Sequence, residues 1–407
     1  MTATRSSAGA LGGANFSVFW LAQTISRFGD PITLIALAAA TYRLTASAFL
    51  TSVAVLVATL PQATVGFIGG AVADALGLRR AMVLCDVARA VLIAAIPLTF
   101  AFGLPLAVAF LLVFLAAVCA SVFNPARVAI VPALVPAPRL AASNSLVYAT
   151  DRTVEIIGAL AAGALVATFG DGAFYVDALT FLLSAVLLAR VQVVEPAPRR
   201  VSVGRVWADA LDGLGFIRRN APLYANTVIS LVAQLSIPVF NGLLPVLIFR
   251  RFAGGDAMLG ARDFGIAEAA LAAGAVLMGV AYARISARPK GRLLIAGWAA
   301  YGALLMLVAA APSLPVLIGV LVLAGVANVL FYVPNVTISQ QITPPELRGR
   351  VFGARISLLS LSWLPVVIVS GALADVIPAE ALIGAAGAFT LLVALVALRI
   401  PIVRDIA

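Results

Sequence analysis

The sequence predicts an all-α integral membrane protein, with twelve transmembrane helices in two pseudo-symmetric six-helix bundles. Three observations predict it. Of 407 residues, 63% are hydrophobic and 11% charged, with a mean hydropathy of +1.11. An ordinary soluble domain is roughly half apolar and a quarter charged, so lipid must solvate most of this chain. The apolar residues fall in runs of about 20, the length at which a helix crosses the hydrocarbon core. The second half also repeats the first at an offset of about 208 residues, as a duplicated helical unit does.

The runs in the first half lie near 16–41, 47–72, 81–102, 105–126, 141–168 and 172–191. The first opens after a glycine pair and carries Arg27, Asp30 and Pro31 inside it. The second closes in "GGAVADALGLRR", where one aspartate and two arginines interrupt the apolar residues. The third ends at "FGLP", the fourth runs through "FNPAR" to "VPAPR", the fifth contains "TDRTVE", and "GDG" separates it from the sixth. Glycine and proline mark these joints because neither continues a helix at low cost.

A break at 192–221 comes next. "VEPAPRR" reads as a linker; in "VSVGRVWADALDGLGFIRRN", Val206, Leu211, Leu214 and Ile217 are spaced for an amphipathic helix on the membrane surface. The remaining runs lie near 222–249, 264–286, 293–311, 314–337, 350–377 and 381–400, bounded by "RRNAP", "AGGD", "RPKGR", "APSLP", "TPPELR" and "DVIPAE". The expected organisation is an N-terminal bundle at 1–191, a cytoplasmic linker with its surface helix at 192–221, and a C-terminal bundle at 222–407.

The net charge of +10 is concentrated in alternate loops. Arg5, Arg79, Arg80, Arg127, Arg139, Arg190, Arg199, Arg200, Arg205, Arg218, Arg219, Arg284, Arg288, Lys290, Arg292, Arg348, Arg350, Arg399 and Arg404 fall on one side; only Arg43, Arg250, Arg251 and Arg262 fall on the other. The positive-inside rule then places both termini in the cytosol, in the inner membrane of a bacterium. "MTATRSSAGALGGAN" has one arginine and no apolar core before a cleavage site, so it reads as a cytosolic tail. Charge spread over short loops sets orientation and does not build a nucleic-acid surface. Histidine is absent, and Cys85 and Cys119 lie in apolar runs, so zinc sites and Ser/His/Asp or Cys/His centres lack their parts. No enzyme activity, metal or cofactor is expected.

The repeat aligns "FNPARVAIVPALVPAPRL" from Phe123 with "FYVPNVTISQQITPPELR" from Phe331, and Pro136 with Pro344. "GGAVADALGLRR" resembles the loop motif of the major facilitator superfamily through Gly70, Asp74, Gly77, Arg79 and Arg80; Ala75 stands where a basic residue is usual. The segments 123–146 and "PPELRGRVFG" at 344–353 resemble the branch that contains the enterobactin exporter and the macrolide and Tap-like drug efflux proteins. The resemblance implies two bundles that rock about a central cavity and export an organic molecule in exchange for protons. It also implies that spans 1, 4, 7 and 10 line the cavity and that spans 2, 5, 8 and 11 join the halves. Asp74 would latch onto the N-terminus of the eleventh span, near Arg350, whenever the transporter faces outward.

Ionisable side chains inside a membrane are costly, which makes each a functional candidate. Asp30, in mid-span beside Arg27 and before Pro31, is the first proton-coupling candidate; a fixed Asp30–Arg27 pair or a kink at Pro31 is the structural alternative. Glu155 is the second, on a face shared with Asp151 at i, i+4 and within reach of Arg152 at i, i+3; the alternative is a buried Arg152–Glu155 pair. Asp86–Arg89 reads as a structural pair, and Glu268 and Asp263 as rim residues of the eighth span. Gln23, Asn124, Gln234, Asn241, Asn328, Tyr332 and Asn335 are the expected polar cavity residues, with Phe19, Phe123, Phe240 and Phe331 beside them.

The expected function is a secondary active transporter, acting as a monomer, that exports a mostly apolar organic solute such as a siderophore or macrolide by proton antiport. Import or lipid flipping by the same fold is the alternative. A membrane enzyme or a non-transporting sensor stands further off.

Overall fold

The computed structural model describes residues 13–64, 66–193, 203–282, 290–344 and 347–406. Residues 1–12, most of the 192–202 linker and the loop with Arg284 and Arg288 lie outside the described residues, and so do the expectations placed on them. The described residues are helical almost throughout, with no strand among them: α1 (Ala14–Thr45), α2 (Ala48–Thr64), α3 (Gly66–Leu76), α4 (Leu78–Ala101), α5 (Leu106–Leu134), α6 (Leu140–Phe169), α7 (Ala173–Arg190), α8 (Val203–Arg219), α9 (Ala221–Ala233), α10 (Ser236–Leu247), α11 (Ala257–Tyr282), α12 (Lys290–Ala310), α13 (Leu314–Ile342), α14 (Arg348–Leu373), α15 (Ala379–Ala397) and α16 (Pro401–Arg404). Nine helical stretches among the described residues are long and apolar enough to cross a membrane.

One of the nine, 146–190, contains a reversal. Asn15 Nδ2 at the start of α1 donates to Gln192 O at 2.9 Å, and Arg43 at its end pairs with Asp171 at 2.7 Å. Hence α7 runs antiparallel to α1. Trp20 Nε1 bonds Thr150 Oγ1 at 3.0 Å, and Gly158 lies against Phe28 and Pro31, so α6 runs parallel to α1. The turn between α6 and α7 is the 3-10 segment Gly170–Gly172.

The 208-residue offset reappears in the helix ends. Adding 208 to Leu106–Leu134 gives 314–342, the bounds of α13, and adding it to Leu140 gives 348, the first residue of α14. Two expected spans are interrupted. The seventh is α9, then α10, then a π-helical turn at Ile248–Phe252; Pro238 cannot donate to the Gln234 carbonyl, and α9 stops there. The eighth begins at Ala257, not near 264, because the Asp256 carboxylate accepts from the backbone N–H groups of Met258 and Leu259 and caps the helix. Glu268 therefore sits about 16 Å along α11, well away from the rim. Asp263 is buried, 2% exposed, beside Arg262 at 2.8 Å.

The linker helix α8 is amphipathic and packs one face on the bundle. Ile217 is buried against Leu223, Val351 and Ala354, so the helix seats on the starts of α9 and α14, while Leu211 stays exposed.

The implied contacts between the two sets of helices are present: α2 packs on α14 and α6 on α11. The second contact is unusually close. A Cβ on Gly163 would lie 2.9 Å from Ala261 O and 3.1 Å from Gly265 Cα. Small residues let backbones approach this way inside a membrane. Gly163→Leu is expected to lower the thermal midpoint of the detergent-solubilised protein, with an overpacking cost of about 1–3 kcal/mol. Gly279→Ala, at a site with no atom within 4 Å of a new Cβ, does not lower it.

Candidate functional site

A cavity of about 580 Å³ lies where the two sets of helices meet. From the first half α1, α2, α4, α5, α6 and α7 line it; from the second, α10, α11, α12 and α13. The charge is on its first-half side. Arg27, Arg89 and Arg152 line it together with Asp30, Asp151, Glu155, Asp177 and Glu268, and only Glu268 belongs to the second half.

Arg89 is the centre of one network. Its guanidinium reaches Asp30 on α1 and lies 3.6 Å from Asp86 one turn earlier on α4. It stacks over the Phe181 ring at 3.7 Å and feels the charge of Asp177, one turn before Phe181 on α7. Asp177 is fully buried and accepts from the Thr33 and Thr180 hydroxyls. Asp86, also fully buried, accepts from Ser26 at 3.3 Å. Three helices thus converge on one cation. Asp30 also takes Arg27 at 3.4 Å.

Arg127 is the centre of the second. It does not lie in a loop: it is inside α5, 8% exposed, and donates to both Asp151 oxygens at 2.9 Å and to the Gln23 amide oxygen. Arg27 Nε stands 3.9 Å from Asp151 and joins the two networks. Arg152 and Glu155 form their own i, i+3 pair at 2.6 Å.

Of the expected polar cavity residues, Asn241 and Asn328 line the cavity. Five do not. Gln23 is consumed by Arg127, and Asn335 accepts from Arg355 at 2.7 Å and from Asn226 at 2.9 Å. Gln234 sits at the α9–α10 break, Asn124 is on α5 outside the lining, and Tyr332 is 59% exposed. Helical phase explains the difference: composition places these residues on the right helices, and the side each faces depends on packing. Asp86 and Arg89, expected as a local pair, form an interhelical network because Arg89 reaches across to α1. Asp177 is a cavity-lining carboxylate that the sequence-based candidates omit, although its signal is present as a lone carboxylate within an apolar run.

In the loop motif, Gly77 has φ +86° and starts α4, a conformation that favours glycine. Gly69 packs against the backbone of α5 at Ser121, closer than Gly70 does to Pro125. Arg79 donates to Ala189 O and Val191 O at 3.2 and 3.1 Å, and Arg80 is exposed. Asp74 is exposed and makes no hydrogen bond or ion pair among the described residues. At the opposite end of the molecule, Asp375 after α14 accepts from Ala48 N at 2.7 Å and from Ser47 Oγ at 3.2 Å, at the start of α2. Arg250 lies 3.6 Å from Asp375 and donates to Ala374 O and Ala46 O.

Residues 19–364 match the family described as Major Facilitator Superfamily. The chain is 27% identical over 395 residues to the "Multidrug efflux pump Tap" of Mycolicibacterium fortuitum, covering 93% of each. It is 25% identical to "Uncharacterized MFS-type transporter YfiS" of Bacillus subtilis (strain 168), covering 87% of this chain and 85% of that one. Among solved structures, a POT family transporter in complex with 5-aminolevulinic acid superposes with TM-score 0.75 at 13% identity over 94% of this chain and 95% of that one. The nucleoside transporter NupG gives 0.71 at 13% identity, over 95% and 98%. These two likenesses establish the fold.

Removing Arg89 leaves the fully buried Asp86 with no cation, while Asp30 keeps Arg27 alone. Arg89→Leu is expected to destabilise the protein by about 3–5 kcal/mol, read as a lower unfolding midpoint. Adding Asp30→Asn and Asp86→Asn to Arg89→Leu restores part of it.

Proposed function

Because the chain belongs to the Major Facilitator Superfamily, and so to transporters and not enzymes, we propose that it exports an organic solute across the bacterial inner membrane by proton antiport with alternating access. The observation that carries this reading is the cavity, a drug-sized space between two related sets of helices with ionisable side chains in its wall. The likeness to a protein named as a multidrug efflux pump supports export.

In this reading twelve crossings form two six-helix units, 1–191 and 222–407, joined by 192–221, with both termini in the cytosol. The reversal at 170–172, the interrupted seventh span and the matching helix ends support it. The protein works as a monomer in the bilayer and needs no cofactor or metal.

Asp30 is the proton carrier. It faces the cavity and shares two arginines, so a proton on Asp30 frees Arg89 to turn wholly to Asp86 and Arg27 to turn to Asp151. That exchange shifts α1 against α4 and α6. Glu155, paired with Arg152 on the helix that contacts the other half, is the second carrier. Asn241 and Asn328 contact the solute from the second half.

Alternating access uses two latches of related sequence. "GAVAD" ends in Asp74 in the last turn of α3, and "GALAD" ends in Asp375 just after α14. Here Asp375 holds the start of α2 and keeps the periplasmic mouth shut, while Asp74 is free of α14. In the outward-facing state the roles exchange: Asp74 meets the positive end of the α14 dipole near Arg350, with Gly70, Gly77, Arg79 and Arg80 fixing the turn, and Asp375 lets go.

In cells expressing the protein, an uncoupler is expected to raise retention of a transported dye. Asp30→Asn abolishes uphill efflux while vesicle counterflow, which needs no proton cycle, persists. Uncoupler-insensitive efflux would remove the antiport reading, and net accumulation in cells would favour import. Asp375→Asn is expected to raise labelling of a cysteine placed at Thr59 by an impermeant external thiol reagent.

A further inference from the structure

The cavity wall contains one carboxylate that no arginine or hydroxyl engages. Asp30, Asp151 and Glu155 each have an arginine, and Asp177 has two hydroxyl donors. Glu268 on α11 has no hydrogen bond and no ion pair among the described residues. The charged group whose field it feels is Glu155, another carboxylate, brought near by the close α6–α11 contact.

A second polar group beside it also lacks a partner. Tyr301 on α12 is 2% exposed, and its ring is held edge-on by Phe331 at 5.4 Å and Phe240 at 6.5 Å. The side chain lines the cavity, its hydroxyl makes no hydrogen bond among the described residues, and it lies within the field of Glu268. A buried hydroxyl normally finds a partner, so one aimed into a cavity beside a bare carboxylate is a vacant acceptor pair. The rest of the second-half wall is mostly apolar, with Ile237, Leu271, Ala272 and Ala275 beside the amides of Asn241 and Asn328.

Charge counting gives the sign of the ligand. The wall holds three arginines against five carboxylates. Behind it Arg127 adds one positive charge and Asp86 one negative, so the balance remains negative. An anion brought here would meet Glu268 with no cation to screen it, whereas a cation would supply the missing partner.

We propose that Glu268 and Tyr301 form a binding site for the cationic nitrogen of an amphiphilic organic cation, whose hydrocarbon part lies on Ile237 and Leu271. The inference rests on the reading of this cavity as the transport site and narrows its solute to a class. The nitrogen sits on the second-half wall, opposite the Asp30–Arg89 network. Asp30, the first proton carrier, belongs to the first-half side of the same space, so cargo and that proton interact through the field between them.

The test is equilibrium binding to the full chain in nanodiscs, with ethidium as the cationic probe and chloramphenicol as the uncharged one. Glu268→Gln is expected to weaken ethidium binding roughly tenfold or more and to leave chloramphenicol unchanged. Tyr301→Phe weakens ethidium binding by a smaller factor, and Glu268→Asp restores part of it. Thermal midpoints of the same samples identify any variant that fails to fold, in which case Tyr301→Phe and Glu268→Asp carry the comparison. Equal loss for both probes, no loss of ethidium, or no ethidium binding by the unaltered protein overturns the inference. The proton reading fails separately: uncoupler-insensitive efflux alongside a charge-selective loss of ethidium would retain this site and reject antiport.

Discussion

One buried guanidinium ties the first half of this protein together. Arg89 is 6% exposed in a helix surrounded by apolar residues, and a bare charge there would be prohibitive. Its cost is offset by Asp30 from α1, Asp86 from its own helix and the field of Asp177 from α7. This arrangement fixes the relative depth of three helices, because any axial slip separates the charges. It also explains why Gly29 occupies its place: a Cβ there would collide with the Asp177 carboxylate. The network holds more carboxylates than guanidinium groups, and the helices that carry these charges are among those that surround the cavity.

The contact between α6 and α11 serves the opposite end of that requirement. Gly163 and Gly265 bring the two backbones together, and the helices run antiparallel there, with Ala159 O facing Gly265 and Gly163 facing Ala261. Four residues further along α6 comes Glu155, and three further along α11 comes Glu268. The glycine contact therefore places two carboxylates from different halves in one wall. Glu155 is held there by Arg152, while Glu268 has no ion pair among the described residues.

The fold is largely legible in the sequence because hydropathy in lipid leaves few choices: apolar runs of spanning length, charges at their ends and a repeat offset that reappears in the bounds of α5 and α13. Boundaries differ where a single residue decides them. Asp256 caps α11 early, and the shift moves Glu268 from the expected rim to the cavity. The site is legible only as a set of candidates. Asp30, Asp151 and Glu155 announce themselves as charges within spans, and the pairing of Arg152 with Glu155 comes from helical spacing. The long-range partners do not. Hydropathy ends the fourth span before Arg127 and so assigns it to a loop, and nothing local reveals that it meets Gln23 and Asp151. Arg89 to Asp30 is separated by 59 positions and depends on how α4 lies against α1.

The distribution of charge between the halves has the same physical origin. The buried ion networks lining the cavity belong to the first half, while the second contributes Glu268, Tyr301, Asn241 and Asn328 among aliphatic and small residues. If ionic networks faced each other across the cavity, each opening would have to break many charge contacts in a medium of low dielectric, at a cost of several kcal/mol per ion. Confining them to one half avoids facing ion networks across the cavity, and charged contacts between the two sets of helices are found instead at Asp375 and Arg250. Asp375, Arg250 and the start of α2 lie at a water-facing end, where breaking and remaking an ion pair costs on the order of 1 kcal/mol or less. The buried charges, by contrast, sit within one half, where a separation of the two sets of helices would not have to break them.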